Sequence, residues 1–347
     1  MSEIVPAVDI SKIDQYAKKY QRKLIQLAVG FNELTQNCSV LAGVKDKEVM
    51  TELEFKSLIK PYADKWNPDE DKALLIPRTV EVEVGQVELE ENPIKYRKTY
   101  LGQIMKTGVN PNDHPFEKDF LEGIVKRINN DIVFVAAFYG NKALRQSGTT
   151  EQKKSVISVN DGFFTILNKE ITEGNVSEVK KNLIPTGVID KTNAVEKLKS
   201  FYRTAANHQP AVRSKPTRLY CSYDIYDAYC DNYQATNEAL PYNQKFEHVV
   251  LEGSAGLCTL TPMSGMRNSK RIILTEEWNM KYAVDTLSDQ EKIEVWKPNP
   301  KVMGFLSLMA FGFQFVTLNA LWTNEKELDE ESGSPSTSQS GSVSVSE

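Results

Sequence analysis

The chain has 347 residues, of which 40% are hydrophobic and 26% are charged, and its formal net charge is −5. This balance is typical of a globular protein of two or three domains, and it does not favour a dedicated nucleic-acid binder, which would carry a basic excess. The four cysteines are scattered without a C-x-x-C pair, so neither a zinc knuckle nor a disulfide framework is indicated, and a reducing compartment is expected.

The N-terminus lacks the basic-then-apolar pattern of a signal peptide. From Ser11 a capping box opens a predicted helix that keeps an apolar face to about Gln36. The other face is basic, with Lys12, Lys18, Lys19, Arg22 and Lys23. Two interpretations stay open, an arm that packs on a neighbouring subunit or an acidic partner, and a solvated polar face. A second helix is predicted over Glu48–Leu58.

The stretch Pro77–Gly102 alternates in period two and predicts a β-ribbon. Its first two runs carry the acidic residues, and the run after Pro93 carries the basic ones: Glu81, Glu83, Glu88, Glu90, Lys95, Arg97 and Lys98. The parity of the apolar residues changes across Gly85, which predicts a bulge or a tight turn there. Cross-strand pairing within one hairpin would explain these charges. A ribbon that docks on another subunit would explain them as well.

The stretch Pro115–Asn141 predicts one long helix, with Asp113 as N-cap and Gly140-Asn141 as the stop. Its apolar residues recur at helical spacing and form a core-facing stripe: Phe116, Phe120, Ile124, Ile128, Ile132, Val135 and Tyr139. A helix of this length usually forms the spine of a domain.

Beyond the long helix, strands and helices mix without a regular βαβ order, so the fold class is α+β. Strand-like runs are predicted at 155–159, 218–221, 249–251, 257–260, 271–274 and 292–295. Helices are predicted after an Asp190 or Thr192 cap and after Ser222, and 163–167 is either a strand or a helix start. The apolar run 302–320 predicts one or two buried strands in preference to a membrane span, because polar residues interrupt it. The acidic, Ser-rich tail 325–347 is expected to be disordered.

Motifs for chemistry are absent from the sequence. Neither G-x-G-x-x-G nor G-x-x-x-x-G-K-[ST] occurs, and Glu252-Gly253-Ser254-Ala255-Gly256 lacks the first glycine of a nucleophile elbow. The three histidines are far apart and lack metal-ligand spacing. We therefore predict no catalytic residue, no cofactor and no metal site.

Two segments, RLYCSYDIYDAYCDNY (218–233) and LCTLTPMSGMRNSKRIILTEEWNMKYAVD (257–285), together with the order of the elements, resemble the major capsid protein of tailed bacteriophages, the Hong Kong 97 fold. The phrases are similar to those of phages and prophages of Bacteroides-type hosts. The resemblance covers roughly residues 10–324. It implies a helical N-terminal arm (1–60), a connector (61–76), an extended loop (77–102), a peripheral domain with the spine helix (103–150 and 295–324) and an axial domain (151–294).

The resemblance also implies a function. Such a protein assembles with itself into pentamers and hexamers of an icosahedral head that encloses double-stranded DNA, which it contacts nonspecifically. It is not an enzyme and binds no membrane. Its expected partners are a scaffolding protein, a portal and decoration proteins. It is assembled in the bacterial cytoplasm and resides in the virion. The alternatives are an encapsulin-like compartment shell and a soluble α+β enzyme with a dispersed active site.

Overall fold

The computed structural model describes residues 33–55, 58–62, 64–65, 72–91, 116–238, 249–285, 292–299 and 302–324. Most of the predicted N-terminal helix, the basic run 94–101, the Asp113 cap and the C-terminal tail lie outside these ranges. Within them, helices and strands are mixed, so the α+β class is confirmed. No helix in this part of the chain is both long and apolar enough to cross a bilayer.

A central sheet is built around β11 (Val302–Phe315), which pairs along both of its edges. Residues 304–308 of β11 pair with β4 (Glu83–Glu91) on one edge and with β10 (Lys292–Asn299) on the other. The end of β11 pairs with β9 (Met280–Val284), and β1 (Ser39–Ala42) runs parallel to β9. The predicted buried strand is therefore a single strand of 14 residues.

The predicted long helix packs on one face of this sheet. It runs as α2 (Phe116–Asp131), continues through a π-helical stretch (Ile132–Ala136) and ends at Tyr139. Its buried side chains join those of α5 (Phe163–Thr172) and the odd-numbered residues of β11. The Phe163 ring, for example, lies 5.7 Å from the Phe138 ring and 5.3 Å from the Phe313 ring. Ile128 and Ile132 of the predicted stripe are buried and Ile124 is half-buried, whereas the side chains of Phe116 and Phe120 are not described.

A second five-stranded sheet has the order β12-β8-β5-β7-β6. Its strands are β5 (Thr217–Cys221), β6 (Val249–Val250), β7 (Cys258–Pro262), β8 (Ile273–Thr275) and β12 (Leu321–Thr323). The helices α6 (Ala194–His208) and α7 (Tyr223–Asn237) pack on it, and Ser222 accepts a hydrogen bond from the Ile225 amide as the predicted N-cap of α7. Short helices fill the connections: α1 (Glu33–Asn37), α3 (Leu144–Ser147) and α4 (Thr150–Lys153).

A separate two-stranded ribbon is formed by β2 (Lys47–Phe55) and β3 (Ala73–Glu81). The helix predicted over Glu48–Leu58 is therefore wrong for residues 48–55, which form a strand. Residues 47–55 also alternate with a period of two, and pairing with β3 selects the strand. The chain between 81 and 83 then passes from the ribbon into the central sheet.

The predicted ribbon Pro77–Gly102 is thus divided between two structures. Its first residues belong to the β2–β3 ribbon, while β4 lies in the central sheet. The apolar residues change parity because the chain passes at Val82 from the ribbon into the central sheet. The predicted bulge or turn at Gly85 is wrong, because Gly85 lies within β4 and pairs with Met309.

One further prediction needs correction. Residues 155–159 do not form a strand, since Val156–Ser158 is a 3₁₀ turn that leads into α5. The division of the chain into an axial domain (151–294) and a peripheral domain stays a prediction.

The end of the long helix generates a testable prediction. A Cβ at Gly140 would lie 2.6 Å from the carbonyl oxygens of Ala136 and Asn160, whereas a Cβ at Gly123 would meet no atom within 4 Å. We expect Gly140→Ala to lower the free energy of unfolding by about 2 kcal/mol because backbone must move. The matched control Gly123→Ala should raise it by about 0.5 to 1 kcal/mol, since alanine favours the helix. Denaturant unfolding of unassembled subunits measures both, and a neutral Gly140→Ala would contradict the packing described.

Candidate assembly surface

The ribbon presents an apolar face to solvent. Directly opposite residues of an antiparallel pair share a face, and Val49 opposes Thr79, Leu53 opposes Leu75 and Phe55 opposes Ala73. The side chains on this face remain exposed despite their size: Val49 61%, Leu53 52%, Phe55 57% and Leu75 62%. We call these four residues the ribbon's outer face. Beyond the strands, Leu58, Ile59 and Tyr62 are also exposed.

The other face of the ribbon is directed toward the body at its base. Val80 is fully buried and packs with Val82, Ala283 and Ala310, and Met50 packs against the same cluster. A Cβ at Gly312 would lie 2.0 Å from the Glu81 carbonyl oxygen, so only glycine permits this approach of the ribbon to β11. The base is therefore fixed, and the end at Phe55 and Ala73 points away from it.

Arg78 anchors the ribbon through a network with little exposure. Its Nη2 lies 2.6 Å from Glu170 Oε1, and both side chains are about nine-tenths buried, at 14% and 13% exposure. Its Nε donates to the Phe315 carbonyl oxygen at 2.9 Å, and Nη2 also donates to Gln314 Oε1. The second carboxylate oxygen of Glu170 accepts from Asn175. One side chain of the ribbon thus bonds to both β11 and α5.

A second set of ion pairs holds the junction of ribbon and sheet. Lys47 Nζ lies 2.5 Å from Glu81 Oε1, and Arg145 Nη1 lies 3.1 Å from Glu83 Oε2. Lys142 bonds to both glutamates. Hydrogen bonding from Lys47 lowers the pKa of the Glu81 carboxyl. Burial acts to raise the pKa of Glu83, but hydrogen bonds from Lys142 and Arg145 outweigh it, and this pKa is lowered as well.

The structure therefore separates the predicted contact residues. Glu81 and Glu83 meet cations of their own chain. Glu88 and Glu90 are exposed on β4 and form no ion pair with any residue that the structure describes. Lys95, Arg97 and Lys98 lie outside the described residues. The sequence interpretation did not identify the ribbon's outer face, although the alternation of Val49, Thr51, Leu53 and Phe55 with acidic residues was a signal for it.

Features of an active site are weak in the described part of the chain. Two cavities there are open grooves, one of about 220 Å³ beside Glu81 and Asp161 and one of about 690 Å³ between the ribbon base and α6. Burial raises the pKa of the Cys38 and Cys258 thiols to about 12, and that of Cys221 further still, which makes them poor nucleophiles. No cluster of three or more His, Cys, Asp or Glu side chains that could hold a metal occurs among these residues.

The Arg78 network predicts a large effect of a single substitution. Arg78→Met leaves the Glu170 carboxylate buried without its cation, so we expect the free energy of unfolding to fall by about 3 kcal/mol. The control Arg127→Met breaks an i,i+4 pair with the half-buried Asp131 in which the arginine itself is exposed, and should lower it by less than about 1 kcal/mol. Denaturant unfolding of the subunit compares the two. Equal effects would show that Arg78 does not anchor the ribbon.

The junction predicts a pH dependence. A carboxyl whose pKa is lowered by folding stabilises the protein above its ordinary pKa of 4.5, and this contribution is lost as the pH falls through the folded-state pKa. We expect Glu83→Gln to cost about 1.5 kcal/mol at pH 7 and progressively less below pH 4.5. Glu88→Gln is the control, with a smaller effect at pH 7. A Glu83→Gln penalty that stays constant down to pH 3 would contradict this role, as measured by unfolding at a series of pH values (about 3 to 7).

Comparisons with known proteins gave structural matches alone. No protein-family model matches the chain, and no curated protein matches it in sequence. Among solved structures, a chain of the satellite phage P4 procapsid including size determination (Sid) protein aligns with a TM-score of 0.52 at 11% identity, over 89% of this chain and 99% of that one. The SrpI encapsulin complex from Synechococcus elongatus PCC 7942 aligns at 0.47, with 10% identity over 84% and 86% of the two chains.

A third alignment, to the capsid of Myoviridae phage XM1, has a TM-score of 0.46 at 11% identity and covers 87% of this chain and 90% of that one. Of the three alignments, that to the P4 procapsid chain has a TM-score above 0.5 and covers 89% of this chain and 99% of that one. Identity this low establishes the fold and leaves the function open. The chain has the fold of phage capsid proteins.

Proposed function

We propose that this chain is a shell-forming protein, the major capsid protein of a tailed-phage type of particle. The observation that carries the proposal is the ribbon's outer face, a row of exposed apolar side chains on a projecting hairpin of a chain with a capsid fold. Exposed apolar patches of this kind mark interaction sites, and a hairpin alone is marginally stable in water. A neighbouring copy would supply the missing contacts.

The energy of each contact is modest. Full burial of a side chain such as Leu or Phe contributes about 1.5 to 3 kcal/mol, and these four are already partly buried, so their complete burial contributes on the order of 4 kcal/mol per ribbon. Such a contact is weak for an isolated pair of subunits. In a closed shell each copy both gives and receives a ribbon, and the contacts reinforce one another through multivalency.

Fixing the base of the ribbon makes this contact more favourable. Arg78 and the ion pairs that Glu81 and Glu83 form with basic side chains of the same chain fix the direction of the hairpin before a neighbour binds. Less conformational entropy is then lost on association, which is the general benefit of preorganisation. These ion pairs also explain why Glu81 and Glu83 contact their own chain while the ribbon's outer face remains exposed to solvent.

The finer features follow the resemblance. We propose pentamers and hexamers in an icosahedral head, an interior that encloses double-stranded DNA through nonspecific contacts, and scaffolding, portal and decoration proteins as partners. The location is the virion, after assembly in the bacterial cytoplasm, and the role is structural, not enzymatic. Residues 103–150 and 295–324 would form the peripheral domain, and residues 151–294 the axial domain.

The test is assembly itself. Full-length protein, expressed alone and with the products of neighbouring genes, should form closed shells in negative-stain microscopy. Particles that contain double-stranded DNA after co-expression with the packaging genes support a phage head, whereas particles that contain cargo enzymes and no nucleic acid support the encapsulin-like alternative. A stable monomer under all these conditions would overturn the proposal.

A paired substitution tests whether the ribbon's outer face is an assembly contact. Leu53→Asp with Leu75→Asp places two charges on the ribbon's outer face, and we expect shells to disappear while circular dichroism and the unfolding midpoint of the subunit stay close to those of the parent. The control Val188→Asp changes another exposed apolar residue, at 62% exposure, and should leave the shells intact. Shells that form normally from the double variant would show that this face is not an assembly contact.

A further inference from the structure

The C-terminal tail leaves the body of the protein beside a loop to which the chain is bonded. The Thr323 amide donates to the Asn182 carbonyl oxygen at 3.0 Å. Asn324 is 4% exposed, and its side-chain amide donates to Thr186 Oγ1 at 3.2 Å. We call residues 177–188, which lie between α5 and α6 in the sequence, the exit loop. The first residue of the tail is therefore held next to the exit loop.

The exit loop presents two cations and an apolar side chain to solvent. Lys180 and Lys181 are exposed, and neither ammonium group forms an ion pair with any residue that the structure describes. Val179, which precedes them, is 91% exposed. All three line the open groove of about 690 Å³ at the ribbon base. The ribbon side of this groove carries Glu52, so an anionic segment is favoured on the loop side, against the lysines.

The C-terminal tail has the complementary charge. Residues 325–331 carry five acids and one lysine, and residues 332–347 add one further acid, Glu347. The tail thus accounts for the whole formal net charge of −5, and the rest of the chain is neutral. Leu328 lies in the middle of the acidic residues and is the one apolar side chain of 325–331. The most acidic part of the chain is therefore the part nearest to the exit loop.

We propose that residues 325–331 fold back on the exit loop of the same chain. Their acidic side chains pair with Lys180 and Lys181, and Leu328 packs against Val179. The charge and polarity of the two segments are complementary. The contact lies within one subunit, so it goes beyond the proposed function and does not depend on it.

The length of the acidic segment permits this contact. Lys181 directly precedes Asn182, which is bonded to Thr323. Seven residues span up to about 24 Å when extended, so 325–331 can reach the two lysines even after the chain reverses direction. Exposed ion pairs are individually weak. A short tether compensates for this, because it gives an effective concentration in the millimolar range, far above that of a second copy in a dilute solution of subunits.

Disulfide trapping in the full chain tests the contact. Dilute subunits that carry Lys181→Cys and Glu330→Cys are mildly oxidised, and we expect an intrachain disulfide, seen as a compact monomer that reduction relaxes. The matched control keeps Lys181→Cys and moves the second cysteine to Ser340→Cys, beyond the acidic segment. Three of the four native cysteines are buried, and parent protein treated in the same way measures their background.

The ratio of the two trapping rates separates docking from simple tethering. Effective concentration falls roughly as the 3/2 power of tether length, so a free tail would trap Glu330→Cys about fourfold faster than Ser340→Cys. For a docked segment we expect a ratio of about tenfold or more. A ratio no greater than that of the free tether would overturn the inference.

Charge is tested with the same pair of cysteines. Neutralising the segment with Asp329→Asn and Glu331→Gln should reduce trapping to the rate of a free tether. Salt at about 1 M should do the same, because the Debye length is then about 3 Å. The control Glu347→Gln removes a carboxylate outside the segment and should have no effect. Trapping that neither change slows would contradict the pairing with Lys180 and Lys181.

Proteolysis provides an independent readout. Two shortened chains, one that ends at Glu331 and one that ends at Asn324, are treated with trypsin, and cleavage after Lys180 and Lys181 is followed by mass spectrometry. We expect about fivefold faster cleavage in the chain that ends at Asn324. Cleavage at 153–154, an exposed pair of lysines at the end of α4, is the internal control and should be equal in both chains. Equal cleavage after Lys180 and Lys181 would overturn the inference.

A mixture of the two single variants distinguishes the same chain from a second copy. If Lys181→Cys in one chain and Glu330→Cys in another form a mixed dimer faster than the double variant closes on itself, the assignment to one chain is wrong. Subunits that form shells without the intrachain disulfide would reject this inference and leave the proposed function standing. The intrachain disulfide in a protein that never forms shells would support the tail contact and count against the proposed function.

Discussion

The pairing of one strand along both edges determines most of this structure. Val302–Phe315 pairs with β4 on one side and with β10 and then β9 on the other, so three strands from different parts of the chain meet on it. The long helix packs on its odd-numbered face and the base of the ribbon on its even-numbered face. A strand covered in this way must be almost continuously apolar, which is why its sequence resembles a membrane span in length and composition.

The ribbon combines a fixed base with an unsatisfied outer face. The buried Arg78–Glu170 pair and the close approach at Gly312 hold it to the body, while Val49, Leu53, Phe55 and Leu75 remain exposed. In the proposed shell, contacts of this kind that are weak singly would reinforce one another through multivalency.

Local patterns predicted the long helix, α6 and α7, since helix formation depends on neighbours three and four residues apart, but the helix predicted over Glu48–Leu58 is wrong. The long helix ends at Tyr139 as expected, although Gly140 has a φ of −53° and is required there for close packing, not for a left-handed turn. Strand pairing could not be read in this way. Residues 47–55 fit a helix or a strand until β3 pairs with them, and the division of 77–91 depends on β11, far along the chain. Lys142 and Arg145, which form ion pairs with Glu81 and Glu83, lie beyond the long helix in the sequence.

Hydroxyl-radical footprinting measures directly whether the ribbon's outer face becomes buried only when copies meet. Rates of oxidation at Leu53, Phe55 and Leu75 would be compared between dissociated subunits and intact particles, with exposed Val188 as the internal reference. We predict strong protection of the three ribbon side chains in the particle and an unchanged rate at Val188. Equal oxidation of the ribbon in both states would contradict the claim.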